Sequence, residues 1–265
     1  MKKVVCLLLV LCLAVSIAFA GGNSDRDSKL ICGVTEYEPM NFRDSRGNWT
    51  GFDTEVAILI ANKLGLKAEF QLIEWSQKFA ELNSRNIDAI WNGFTATASE
   101  NGVPRIQLCD MSYSYMLNTQ AVVIRTNRAR EFTSRASLVG KRIAAEAGSA
   151  GESAAKELGG ASGRIIGVPA QINSFMEVKS GAVDCAVVDI ILARQITGSG
   201  DYSDLTIANI PLADEVYAIG FRRGDPLRNR VNQALKELYD NGTLRTIARK
   251  YGLEQNLVLD TNFGR

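Results

Sequence analysis

The sequence predicts an α/β fold, and three observations carry that expectation. Strand-like apolar runs alternate with helix-period segments between Leu30 and Asn92, in the order strand, helix, strand, helix, strand. A similar alternation starts again at "AVVIR" and continues to "VDCAVVD". Pro, Gly and turn-forming polar residues punctuate the loops between them. In an open α/β sheet, ligands sit in crevices beyond the carboxyl ends of the strands, so the residues just after each strand are the ones to examine.

Taken in order, "NSDRDS" is a polar leader and "LICGVT" a short strand that runs into the loop "EYEPMNFRDSRGNWTG". Asp53 or Thr54 is placed to cap the helix "TEVAILIANKLG", whose apolar face repeats at helical spacing and stops at Gly65. "LKAEFQLI" is a strand, "WSQKFAELNSRN" a helix and "IDAIWNG" a strand. After "AVVIR" comes a charged, irregular stretch from Thr126 to Lys141. "RIAAEAGSAGESAAKELGG" then reads as strand, Gly-Ser loop and helix, followed by the strand "RIIGVPA", the helix "INSFMEVKSG" and the strand "VDCAVVD". The helix "DIILARQITG" comes next. Two more helices, "PLRNRVNQALKELYDNG" and "TLRTIARKYGL", precede a polar tail. The two halves share an order of elements, not residues.

The first 20 residues stand apart. Lys2 and Lys3, an apolar run from Val4, and Ala18-Phe19-Ala20 before Gly21 form the pattern of a secretory signal peptide. A retained membrane anchor is one alternative, although the apolar run is short for a span. A lipoprotein modified at Cys12 is another, and bulky Leu11 counts against it. Cleavage after Ala20 exports the chain and takes its formal charge from +1 to −1. That balance gives no electrostatic reason to expect nucleic acid or an anionic membrane face.

The chain has no histidine, which removes the commonest general base, Ser-His and Cys-His pairs and most transition-metal sites. Cys32, Cys109 and Cys185 are far apart and lie in apolar runs, so they are expected as small core residues and not as metal ligands. No cofactor is expected.

Several strand ends bear candidate binding groups. Gly148, Ser149, Ala150 and Gly151 lie between a strand and a helix, where free backbone N–H groups attract a carboxylate or phosphate. A plain turn with Ser149 as helix cap explains the same residues. No Gly-Lys-Ser/Thr follows, so the segment is not a phosphate-binding P-loop. Asp189 ends a strand, where it can pair with a cation or cap the next helix. Tyr37 and Trp75, at comparable strand ends, suit either core packing or the walls of a crevice.

Taken together, "YEPMNFRDSRGNWTGFDTEVAILIANKLGLKAEF", "ELNSRNIDAIWNGFTAT", "LVGKRIAAEAGSAGESAAKE", "VKSGAVDCAVVDIILA" and "FRRGDPLRNRVNQALKELYDNGTLRTIARKYG" resemble the bacterial solute-binding proteins of amino-acid ABC importers (periplasmic binding proteins of type II, family 3). The resemblance covers nearly all of residues 30–252. It implies two α/β lobes, each a mixed sheet flanked by helices, joined by two crossover strands. Lobe one would be 29–119 plus 218–265 and lobe two 120–217, with hinges near Asn118–Val122 and Ala213–Gly220. It also implies an exported monomer that holds an amino acid between its lobes and passes it to a membrane permease.

By that resemblance, the Gly93 carbonyl and the Thr95 hydroxyl meet the ligand's α-amino group, completed by Asp189 from the other lobe. The Ser149–Ala150 backbone receives the α-carboxylate, and Tyr37 and Trp75 wall the side chain. A desolvated ammonium needs a carboxylate and acceptors, and a desolvated carboxylate needs donors, so the assignment is physically consistent. There is one departure. The family's arginine, five residues after the Thr of this turn, is Glu100 here, and the spacing to "CDMSYSY" is about two residues longer. Arg105 is the candidate replacement, and backbone donors alone are the other option. Thr35, Glu36 and Gln77 leave the ligand's side chain open, and Thr35 stands where many relatives carry an acidic residue, which counts against lysine or arginine. A sensor lobe and a secreted dehydratase acting on cyclohexadienyl acids are the alternative functions on this scaffold. A dehydratase needs a positioned acid or base, and only Glu36, Glu74 and Asp189 stand at strand ends for that role.

Overall fold

The computed structural model describes Arg26 and residues 28–264, so the signal-peptide reading and Cys12 lie outside the described residues. In chain order the main strands are β1 (Lys29–Val34), β2 (Lys67–Leu72), β3 (Ala89–Ile90), β4 (Asp110–Met111), β5 (Ser114–Arg125), β6 (Arg142–Glu146), β7 (Arg164–Val168), β8 (Cys185–Asp189), β9 (Leu205–Ile207), β10 (Asp214–Tyr217), β11 (Gly220–Phe221) and β12 (Leu257–Asp260). The helices are α1 (Phe52–Lys63), α2 (Lys78–Asn83), α3 (Ala150–Gly159), α4 (Gln171–Ser180), α5 (Ile190–Ile196), α6 (Leu227–Asp240) and α7 (Thr243–Lys250).

Two sheets carry the architecture. The first has the order β2-β1-β3-β11-β4, with β1 parallel to β2 and β3. Leu30, Cys32 and Val34 of β1 are fully buried in one core with Val56 and Ile60 of α1 and Leu235 and Leu244 of α6 and α7. Ile87, Ile90, Phe94, Cys109 and Met111 fill a second cluster. The second sheet runs β7-β6-β8-β5-β9. Ile143, Ala145 and Val187 pack with Leu158 of α3, while Ala144, Ala186 and Val188 pack with Phe175 and Val178 of α4. Strands buried on both sides read as nearly continuous apolar runs, which is what "VDCAVVD" shows.

β5 belongs to both halves. Its first residues pair with β10 (Met116↔Tyr217, Thr119↔Asp214), and its later ones with β8 and β9. β10 leads back to β11 in the first sheet, so two antiparallel segments connect the sheets. The tail expected to be merely polar adds β12 against β5, pairing Leu257 with Met116. Two other expectations need correction. The helix read from "WSQKFAELNSRN" opens with a 3₁₀ turn over Trp75–Gln77 before α2. Neither Asp53 nor Thr54 caps α1. Gly51 holds that position at φ 116°, where a Cβ would lie 2.3 Å from the Met40 carbonyl oxygen. All three described cysteines are free and buried.

Candidate functional site

The ends of β2, β3, β6 and β8 and the start of α4 converge on a cavity of about 10 Å³. Trp75, Asn92, Gly93, Thr95 and Arg105 line it from the side of the first sheet, and Glu146, Ser149, Ala150, Gln171 and Asp189 from the second.

The turn after β3 is held from behind. The Gly93 N–H donates to Asp53 Oδ2 at 2.7 Å, which is where the supposed capping residue of α1 is engaged. Burial pushes the Asp53 carboxyl up to about 7. Gly93 has φ 55°, and a Cβ there would sit 2.5 Å from Tyr37 Cε1. Thr95 forms an isolated antiparallel bridge to Tyr217 of β10, so the turn is tied to a crossover segment. Its hydroxyl donates to Glu215 Oε2 at 3.4 Å.

Asp189 sits at the N-cap position of α5 but makes no cap hydrogen bond. Three amides take its carboxylate instead. Asn118 Nδ2 and Gln120 Nε2 donate to Oδ1 at 2.6 and 2.8 Å, and Gln171 Nε2 donates to Oδ2. Asn118 and Gln120 lie on β5, so the crossover strand orients a carboxylate of the second sheet. The same two amide groups also donate to Glu215 Oε2, at 2.9 and 2.8 Å. Burial raises the Asp189 carboxyl, with the amide bonds opposing it; burial and the Asp189 charge push Glu215 up to about 7. Two carboxylates sharing donors form a place where a cation relieves like-charge repulsion.

The cationic side of the cavity is built on a hairpin. Ser99–Glu100 pairs with Val103–Pro104 through Asn101 and Gly102, at φ 49° and 83°. Two positive φ values in an Asn-Gly pair are the signature of a tight hairpin turn. Arg105 follows directly, its N–H donating to the Ala98 carbonyl at 2.9 Å. Its side chain is 1 % exposed. Nη1 donates to the Thr95 carbonyl and Nη2 to the Gly148 carbonyl, each at 3.0 Å, while Nε is buried without a partner. The guanidinium lies 4.9 Å from the Phe94 ring centroid. Lys78 Nζ donates to the same Gly148 carbonyl at 2.9 Å and pairs with Glu100 at 2.9 Å, and Glu100 also pairs with Arg105 at 3.3 Å. Burial lowers the Lys78 ammonium to about 8, with the Arg105 charge adding to it. Two cations from the first half thus grip one carbonyl of the second.

Gly148 and Ser149 precede α3. Ser149 Oγ accepts from the Glu152 N–H at 3.0 Å, and Glu152 Oε2 accepts from the Gly148 N–H at 2.9 Å, so Ser149 does cap the helix. The N–H groups of Ala150 and Gly151, in the first helical turn, keep the outward direction that helix geometry gives them. A Cβ on Gly151 would fall 2.7 Å from the Val187 carbonyl oxygen, so glycine lets the helix end approach β8.

Residues 30–254 match the family model of the bacterial extracellular solute-binding proteins, family 3. The chain belongs to this family. The arginine-binding extracellular protein ArtP of Bacillus subtilis (strain 168) is 28% identical over 258 residues, covering 95% of this chain and 98% of that protein. The probable amino-acid-binding protein YxeM of the same organism is 32% identical over 263 residues, covering 95% of each. Among solved structures, an ancestral amino acid-binding protein, a precursor of cyclohexadienyl dehydratase, superposes with a TM-score of 0.75 at 28% identity, covering 85% of this chain and 96% of that one.

Within this solute-binding protein, Trp75, Gly93, Thr95, Arg105, Ser149, Ala150 and Asp189 meet at one cavity. Tyr37 does not join them, which corrects its expected place as a wall. Its ring lies behind Gly93, it is 1% exposed, and its hydroxyl is bonded to that of Tyr217 at 2.6 Å. Glu146, Gln171 and the buried Lys78 were not singled out from sequence, whereas Asn92 lies just after β3, where the strand-end rule looks. The strand-end rule applied to β6 and β7 points to Glu146, the last residue of β6, and to Gln171, which opens α4 after β7.

Proposed function

We propose that this exported protein captures a free amino acid in the cleft between two lobes and delivers it to a membrane ABC permease, as a monomer and without catalysis. The lobes are 29–119 with 218–265, and 120–217, hinged near Asn118–Val122 and Ala213–Gly220. Asp189 takes the α-ammonium together with the Gly93 carbonyl and the Thr95 hydroxyl. Arg105 and the Ser149–Ala150 backbone take the α-carboxylate, and Trp75 walls the side chain. The observation that carries this reading is that Asp189 and Arg105, buried groups of opposite charge from the two halves, line one cavity. A zwitterion satisfies both, and a desolvated charge without a partner is costly.

A screen of all amino acids and cystine by thermal unfolding tests this proposal. A ligand at 100 times its dissociation constant stabilises the folded state by about 2.7 kcal/mol. At least one amino acid is expected to raise the unfolding temperature by several degrees, and no shift with any of them contradicts the reading. A dehydratase is the second reading, because Glu146 is a carboxyl in the cavity that burial raises well above the usual range, as a general acid requires. Turnover of arogenate or prephenate by the purified protein decides for it.

A further inference from the structure

We infer that Glu146 sets the specificity of the cavity, and that the amino acid held there carries a second cationic nitrogen on its side chain. The inference rests on the amino-acid reading above and adds the ligand class.

Once Asp189, Thr95 and Gly93 are given to the ammonium, and Arg105, Ser149 and Ala150 to the carboxylate, the remaining polar lining residues are Asn92, Gln171 and Glu146. The first two are already engaged. Asn92 Nδ2 donates to Thr35 Oγ1 at 2.8 Å. Gln171 uses both ends of its amide on Asp189, Nε2 on the carboxylate and Oε1 on the backbone N–H at 2.9 Å. Glu146 is 2% exposed, and its Oε1 is buried with no hydrogen-bond partner. A native structure rarely leaves a buried carboxyl oxygen unpaired unless something else supplies the partner.

Charge selects the kind of partner. Lys78 and Arg105 are the buried cations beside the cleft, facing the carboxyls of Glu100, Glu146, Asp189 and Glu215. The cluster therefore holds more carboxyls than cations, and a zwitterion, neutral overall, leaves that excess unchanged. A side-chain ammonium or guanidinium on Glu146 reduces it and fills the open valence. Thr35, which counts against a cationic ligand when only the first half is considered, is occupied by Asn92. The acid is supplied from the end of β6 in the other half.

The test is titration calorimetry on the purified protein with L-lysine, L-ornithine and L-arginine, with L-norleucine, L-citrulline and L-glutamine as neutral counterparts, and with L-glutamate. The wild type is expected to bind a cationic amino acid roughly 30-fold or more tightly than its neutral counterpart, the size of a desolvated charge pair. Glu146→Gln should bring that ratio to near unity, and Glu146→Asp should keep part of it. A preference for neutral or acidic amino acids, or a cationic preference that survives in Glu146→Gln, overturns the assignment and leaves the amino-acid reading standing. Binding of none of these compounds overturns the assignment, and the amino-acid reading then falls only if the full thermal screen also shows no shift. The wild-type ratios decide the ligand class even if a variant fails to fold.

Discussion

Replacing Asp189 with asparagine is expected to weaken amino-acid binding by roughly 30-fold to several thousand-fold, the equivalent of about 2–5 kcal/mol for truncating one member of a desolvated charge pair. The substitution keeps the shape of the side chain, and its single oxygen can keep the Asn118 and Gln120 donors, while Gln171, which donates to the other oxygen, loses its acceptor. What it removes is the negative charge that three amides hold in place at the end of β8. The unliganded variant should fold normally, because burial without a cation already disfavours the Asp189 carboxylate. Calorimetry on the folded variant checks this result. Affinity within a few-fold of wild type would take Asp189 out of the site.

The second large effect is expected at Arg105. Arg105→Ala should lower affinity by about 2–5 kcal/mol, whereas Arg128→Ala, which removes a partly exposed pair with Glu131 and Asp184, should cost about 0–1. Arg105→Lys should also bind poorly, since an ammonium lacks the planar fork and the free Nε–H. Loss of affinity has two possible origins here, because Arg105 also grips the Gly148 carbonyl and so helps hold the two halves together. Ligands separate them. An amino-acid amide, which lacks the carboxylate charge, should bind the wild type far more weakly than the acid does. Against Arg105→Ala, acid and amide should differ little. If the variant still distinguishes acid from amide as the wild type does, Arg105 is a latch, and the backbone at Ser149–Ala150 is the carboxylate site.

Much of this arrangement is legible in the sequence because it depends on local rules. Period and punctuation locate β1, α1, β6, α3 and β8, and the strand-end rule brings Asp189 and the Gly-Ser turn to one crevice. The hairpin that carries Glu100 and delivers Arg105 was also open to such a reading. Asn101-Gly102 is a strong two-residue hairpin signal. Other features are not local. Lys78 reads as one of the polar residues of a short amphipathic helix, and it is buried among Trp75, Glu100 and Gly148 of the other half. Asp53 has the composition and position of a helix cap, yet a backbone N–H 40 residues away claims its carboxylate. Tyr37 stands at a strand end like Trp75, but the absence of a Cβ on Gly93 admits its ring against the turn, where its hydroxyl bonds to that of Tyr217. In each case the partner comes from a distant part of the chain, and no period or turn signal encodes it.

The central claim is that both halves hold one amino acid by its charged groups. A crystal structure of the protein with the amino acid that stabilises it most tests that claim directly. The account predicts the α-ammonium within hydrogen-bond distance of Asp189, the Gly93 carbonyl and the Thr95 hydroxyl, and the α-carboxylate against Arg105 and the Ser149–Ala150 N–H groups. An amino acid bound elsewhere, or touching only one of the two halves, would contradict it.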